Sequence, residues 1–175
     1  MDASRFDLLK TPRLLAARAR DDDFGTLVRL HEDPEVMATL GGVPPDGARR
    51  TREFLDRMLE HWDLHGYGLY MLRTPTGAFV GRVGLRHVYV GGCAELEIMY
   101  ALARAHWNQG YATEAAVRLR DLALVELRQP SVVAFTLPTN FASRRVMEKT
   151  GLHYEADIVW HDRVHVLYRQ RRPES

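Results

Sequence analysis

Apolar positions change their period along this chain, and the changes mark out its elements. Phe24, Leu27, Val28 and Leu30 recur at helical spacing, and Asp21, Asp22 and Asp23 ahead of them offer an N-cap and charges suited to a helix start. Asp33-Pro34 opens a second short helical turn carrying Val36, Met37 and Leu40, closed by Gly41-Gly42. A third helical pattern over 47–65 places Phe54, Leu55, Met58, Leu59 and Trp62 on one stripe. Shorter runs at 14–20, 68–73, 78–90, 94–102, 132–136, 152–158 and 164–172 read as strands.

The connections give the strand directions. Thr74-Pro-Thr-Gly77, Gly91-Gly92 and Trp160-His-Asp-Arg163 are turn sequences, so the strands they join pair antiparallel. A long apolar-periodic segment reaching about Arg128 separates the strands at 94–102 and 132–136, which therefore run parallel. A short helix over 140–150 ends at Gly151, a suitable C′ residue. The expected fold is α/β (α+β): a single mixed, mostly antiparallel sheet of six to seven strands with helices on both faces.

Composition narrows the class. With 175 residues and 46% apolar content, the chain suits one domain spanning 1–175. A net charge of +1 with interspersed signs gives no case for nucleic acid or an anionic membrane as partner. No run of 18 apolar residues exists, and Met1-Asp-Ala-Ser-Arg5 has no signal-peptide core. The lone Cys93, read as a small packed residue, forms no internal disulfide and suits a reducing compartment. The cytoplasm is the expected location.

The stretch with the most chemical content is Trp107 to Ala115, between a strand and a helix. The first N–H groups of a helix lack internal partners and carry partial positive charge, so they suit an anion. Gly110 and Ala112 keep the approach clear for a phosphate, and Asn108 tolerates a positive φ. Asn108, Gln109, Gly110, Tyr111, Ala112 and Thr113 thus read as a diphosphate cradle. Neither the G-x-G-x-x-G nor the G-x-x-x-x-G-K-[ST] pattern is present.

This cradle, followed by Asn140-Phe-Ala-Ser143-Arg-Arg-Val-Met-Glu-Lys-Thr-Gly151, resembles the GNAT superfamily of acetyl-CoA-dependent N-acetyltransferases, in its RimJ/RimL-type branch. Thr11-Pro-Arg-Leu-Leu15, Asp33-Pro-Glu-Val-Met37 and Gly81-Arg-Val-Gly-Leu85 extend the resemblance over nearly the whole chain. It implies two splayed central parallel strands with the pantetheine arm of acetyl-CoA lying between them. The backbone of Met99, Tyr100, Ala101 and Leu102 would pair with that arm, an N–H among them serving as oxyanion donor. Asn140 would bond the pantetheine besides capping its helix, and Arg104 and Arg145 are candidates for the ADP phosphates.

The resemblance also places Glu97 where relatives carry the base, and Ser143 where the branch uses a hydroxyl beside the departing sulfur. Met147 stands where many relatives have a tyrosine acid. Glu95 and Glu97 share one strand side, so crowding in one cleft would raise a carboxyl pKa. The first helices would wall an acceptor groove, with Trp62, His65, Tyr70 and Glu95 as its candidate residues. His61 and His65 stand at i, i+4, but no third ligand lies at useful spacing, so no metal is expected. The implied partner is an acceptor amine, either a protein N-terminus or a small molecule, and homodimerisation is left open. The alternative is a CoA-binding sensor or scaffold without turnover.

Overall fold

The computed structural model describes residues 5–173, so the stretch read for a signal peptide lies partly outside it. Its strands are β1 (Leu8–Lys10), β2 (Leu15–Arg18), β3 (Leu69–Arg73), β4 (Phe79–Val90), β5 (Cys93–Leu102), β6 (Ser131–Thr136), β7 (His153–Trp160) and β8 (Arg163–Arg171). They form one sheet in the order β1-β2-β3-β4-β5-β6-β8-β7. The sheet therefore has eight strands rather than six or seven. The extra strand is β1, three residues long and too short to show a period.

Both two-residue hairpins turn as their sequences require. Gly91 and Gly92 have φ of 59° and 80°, and His161 and Asp162 have 48° and 59°, the positive values that match strand twist. Cys93, at the start of β5, is exposed rather than packed.

Helices cover both faces. One carries α1 (Phe24–His31), α2 (Pro34–Ala38) and α3 (Gly47–His65), whose Leu27, Leu55 and Met58 pack with Leu69, Met71 and Met99. The other carries α4 (Tyr111–Asp121) and α5 (Phe141–Lys149), whose Ala115, Leu119 and Met147 share a core with Leu72, Val83, Leu85 and Ile98. Leu69, Leu72, Leu85 and Leu119 are fully enclosed, each contributing roughly 1.5–3 kcal/mol of hydrophobic stabilisation.

The helix ends follow local chemistry. Pro34 opens α2 behind Asp33, whose carboxylate accepts from the Glu35 and Val36 N–H groups. Asp23 caps differently from expectation, reaching back to the Arg20 N–H at 2.9 Å rather than into α1. The helix expected to reach Arg128 stops at Asp121 and continues as a π turn over Leu122–Glu126, closed by the Leu127 N–H bonding to the Leu122 carbonyl. Arg128 then turns out at φ 54°.

One register detail positions everything else. β4 and β5 pair continuously from Gly81↔Leu102 to Val90↔Cys93. Parallel β5 and β6 meet only at Glu97↔Val133. Beyond Glu97 the strands diverge, and the β5 backbone toward Leu102 borders an open gap.

Candidate functional site

That gap is part of a cleft of about 530 Å³. Strand alternation gives it two sides. Glu97, Met99 and Ala101 belong to the face under α1–α3, whereas Tyr100 reaches α5 on the opposite face. Val36, Thr39, Leu40 and Phe54 wall the first side, and Ala142, Ser143, Val146 and Met147 wall the second.

At one end the loop into α4 has the backbone an anion needs. Asn108 adopts φ 59° and Gly110 φ 77°. No side chain caps α4, so its first N–H groups are left for an outside acceptor. Asn108, Gly110, Tyr111, Ala112 and Thr113 line the cleft. Gln109 does not, because its amide donates to the Ala105 carbonyl at 2.9 Å. The Trp107 indole N–H donates to the Leu102 carbonyl at 2.8 Å, fastening the loop to the end of β5.

Glu114 braces the cradle from below. It accepts from the Thr11 hydroxyl at 2.5 Å, the Arg13 backbone N–H at 2.8 Å and the Arg13 Nε at 2.7 Å. Burial raises the Glu114 pKa, but these bonds outweigh it and the net shift is downward. Arg13 also donates to the Gln109 carbonyl and stacks on Tyr111. The Thr-Pro-Arg and Thr-Glu-Ala segments, far apart in sequence, form a single clamp.

On the α1–α3 side Glu97 is 4% exposed and accepts from the Arg86 Nε at 2.5 Å. Glu95 does not join it. Arg169 holds Glu95 at 2.6 and 2.8 Å, outside the cleft lining, so the anticipated crowding of two carboxylates does not arise.

Arg82 stands beside this pair and was not anticipated. It is buried, its Nε donates to His31 Nε2 at 2.8 Å, and His31 Nδ1 bonds the Thr51 hydroxyl at 3.0 Å. Among the described residues no carboxylate lies within ion-pair reach of Arg82, and its guanidinium lines the cleft over the Phe54 ring. Burial, then the nearby Arg86 charge, lowers the Arg82 pKa to about 10. Burial and the Arg82 charge push His31 down to about 3, so this imidazole is neutral and its Nε2 accepts the hydrogen bond from the Arg82 Nε–H. Gly84 sits between the two arginines on β4. A Cβ there would come within 2.6 Å of the Gly68 carbonyl oxygen and 3.0 Å of the Met99 methyl, so only glycine fits.

On the α5 side the Tyr100 hydroxyl lies 2.8 Å from Ser143 Oγ and donates to the Ser143 carbonyl at 3.2 Å. Burial raises the Tyr100 pKa above its ordinary value, keeping the phenol protonated. Asn140 Oδ1 accepts from the Ser143 N–H at 3.1 Å and its amide donates to Thr136 Oγ1 at 3.0 Å, so the side chain caps α5 and ties it to β6. Arg145 is exposed at the rim. Arg104 is engaged elsewhere, paired with Glu35 and Asp33.

The four residues proposed for the acceptor groove lie away from this cleft. Trp62 is 2% exposed, with its indole N–H on the Leu69 carbonyl at 2.8 Å and its ring edge on Tyr70. Tyr70 is fully buried. His65 packs between His61 and His87, and Glu95 is held by Arg169 as above. The reason lies in the stripe itself: Trp62 follows Leu55 and Met58 at i+7 and i+4, which is the core-facing side of α3.

Comparison with known proteins follows the same lines. The family model described as "Acetyltransferase (GNAT) domain" matches residues 13–153. The chain belongs to the GNAT acetyltransferase family. YkkB of Bacillus subtilis is 33% identical over 165 residues, covering 93% of this chain and 95% of that protein. The crystal structure of an acetyltransferase from Agrobacterium tumefaciens superposes with a TM-score of 0.83 at 28% identity, covering 94% of both chains. Spermidine N-acetyltransferase from Vibrio cholerae, solved with CoA and spermine, shares the fold at 16% identity and a TM-score of 0.70, over 91% of this chain and 95% of that one.

This GNAT protein is thus an acetyl-CoA-dependent N-acetyltransferase, with acetyl-CoA as cosubstrate. The uncapped α4 N–H groups and the open β5 edge fit a diphosphate-bearing thioester. Among the described residues no helix is long and apolar enough to cross a membrane.

Proposed function

We propose that this enzyme is of the RimJ/RimL type and acetylates a primary amine by direct attack in a ternary complex, the amine bearing an acidic group near its nitrogen. The observation that carries the reading is the pair of arms across the β5–β6 gap, Glu97–Arg86 on one side and Ser143–Tyr100 on the other. The amine enters beneath α1–α3 and attacks the thioester carbonyl carbon. The C–N bond forms, the C–S bond breaks, and the amine proton leaves toward Glu97, directly or through water. Backbone N–H groups at Met99 to Ala101 would steady the oxyanion. Tyr100, held protonated, would turn its one O–H from the Ser143 carbonyl to Ser143 Oγ, freeing the serine hydroxyl to donate to the departing sulfur.

The site residues follow from this reading. Asn108, Gly110, Tyr111, Ala112 and Thr113 would cradle the diphosphate, Asn140 would face the pantetheine, and Arg145 would meet the ADP phosphates. A cytoplasmic enzyme formed by the whole chain is the setting this implies. The non-catalytic sensor reading rests on Met147 in the tyrosine position, and the Ser143–Tyr100 contact supports a hydroxyl donor in its place. Ser143→Ala and Tyr100→Phe should each lower kcat roughly 10- to 100-fold, the worth of one hydrogen bond to a charged sulfur. The double variant should lose little more than either alone, because both act through one bond. Additive losses in a pre-steady-state thiol-release assay would refute the relay.

Arg82 supports the choice of acceptor. A buried guanidinium is costly without a paired anion, and among the described residues none pairs with Arg82 directly, the Glu97 charge acting on it only from nearby. Glu97, the carboxylate facing the cleft, already serves Arg86, so a polycation finds little to hold it. An α-amino acid or a protein N-terminus with a nearby carboxylate matches Arg82. Arg82→Gln should raise KM about 10- to 100-fold for carboxylate-bearing amines and leave KM for their amides unchanged. CoA release measured over matched acid and amide acceptors reads this directly. Equal KM for both in the parent enzyme would reject the acidic acceptor, and no release from any amine would reject turnover itself.

A further inference from the structure

Three imidazoles come together outside the cleft, from two elements far apart in sequence. His61 and His65 lie one turn apart at the end of α3, an i, i+4 pair with no third ligand near it in sequence. His87 of β4 is that third ligand, and one ring nitrogen from each of the three lies within 4.8 Å of the others. The ring centroids are 4.4 Å apart for His61–His65, 4.4 Å for His65–His87 and 5.5 Å for His61–His87. Around a tetrahedral ion with Zn–N of about 2.0–2.1 Å, imidazole centroids stand roughly 5 Å apart. Small ring rotations bring the three into that arrangement.

The surroundings prepare these rings as ligands. His61 Nδ1 lies 2.9 Å from the Tyr67 carbonyl, and a carbonyl only accepts, so the proton sits on Nδ1 and Nε2 carries the lone pair. That Nε2 receives only the His87 backbone N–H at 3.2 Å, a long bond at the point where β3 has ended and β4 runs on with β5 as its one strand neighbour. Tyr67 bonds His87 Nε2 through its hydroxyl at 2.8 Å, leaving Nδ1 for an ion. His65 has no hydrogen-bond partner among the described residues, and its ring lies between the other two.

We infer that His61, His65 and His87 form a binding site for a first-row divalent metal of the zinc class, with the fourth position open to water. The ion would pin the end of α3 to β4, one residue from Arg86 and on the opposite strand face, and its role is structural rather than part of acetyl transfer. Three neutral nitrogen donors and one open position suit Zn²⁺ and its spectroscopic substitute Co²⁺ better than the oxygen-seeking Mg²⁺ or Ca²⁺.

The test uses the full chain without an affinity tag, stripped with chelator and titrated calorimetrically with ZnCl₂. One equivalent should bind, thermal melting should move upward with Zn²⁺, and CoCl₂ should give the visible bands of a tetrahedral site. His65→Ala removes a ring with no protein hydrogen bond, so the variant should fold as the parent does in chelator. Its Zn²⁺ affinity should fall by about 100-fold or more, beyond the range typical for loss of a mere supporting contact, with the melting shift lost. His161→Ala, at the β7–β8 turn and outside the three-histidine group, should change neither. Equal Zn²⁺ binding by parent and His65→Ala, or no binding by the parent, would overturn the site whatever the enzyme's acceptor proves to be.

Discussion

Gly110→Asp should weaken acetyl-CoA binding by about 100-fold or more while the protein stays folded. Gly110 sits at φ 77° where the loop turns into α4, and no side chain caps that helix. Any Cβ there bears a left-handed backbone cost of roughly 1–2 kcal/mol, least for Asp and Asn. The larger effect is charge. A carboxylate about 5 Å from one phosphate charge, at an effective dielectric near 20, costs about 3 kcal/mol, which already exceeds a hundredfold. Arg13 tempers this, since its Nη2 would lie 3.4 Å from the new Cβ, but it is already committed to Glu114 and the Gln109 carbonyl. Gly110→Ala separates the two contributions: it carries the backbone strain without the charge and should keep most of the affinity. Calorimetric titration with acetyl-CoA, beside a thermal melt of each variant, gives both numbers. An unchanged affinity in Gly110→Asp would mean that the diphosphate binds elsewhere.

What could be read from the sequence was what short range dictates. The positive φ of Asn108, the turns at Gly91-Gly92 and His161-Asp162, and the parallel relation of β5 and β6 all follow from neighbouring residues or from the length of a connection. The misjudged positions depended on which face a side chain takes once distant strands are in register. Trp62 and Tyr70 are aromatic and near a helix end, which suggested a groove, but the α3 stripe and the β3 alternation both point them into the core. Arg82 and Arg86 share one face of β4 at i, i+4, with Gly84 between. Their meaning emerged only when β4 paired with β5 and set Arg86 opposite Glu97. His87 joins His61 and His65 because β3 is shorter than β4, and the local pattern around His87 carries no trace of that difference.

The second large effect is expected at Glu97, and its dependence on pH decides what the carboxylate does. If Glu97 accepts the amine proton, Glu97→Gln should lower kcat near pH 7 by about 100-fold, the lower end of what a positioned base contributes. An α-amine has a pKa of roughly 7.7–8.0, so above that range most of the acceptor is already neutral. The deficit should therefore shrink as pH rises through that range and be small by about pH 9. A second role competes with this one. Glu97 is the carboxylate that holds Arg86, and removing one partner of a buried pair costs about 3–5 kcal/mol. Gln keeps an oxygen for the Arg86 Nε, so the variant should melt at a lower temperature yet keep its fold. That loss comes from an uncompensated arginine and does not fade as the acceptor amine deprotonates. Rate profiles of parent and variant with one α-amine acceptor therefore separate the two roles. A deficit that closes with rising pH identifies a base, whereas one that stays constant leaves Glu97 as the residue that positions Arg86 and requires the proton to leave by another route.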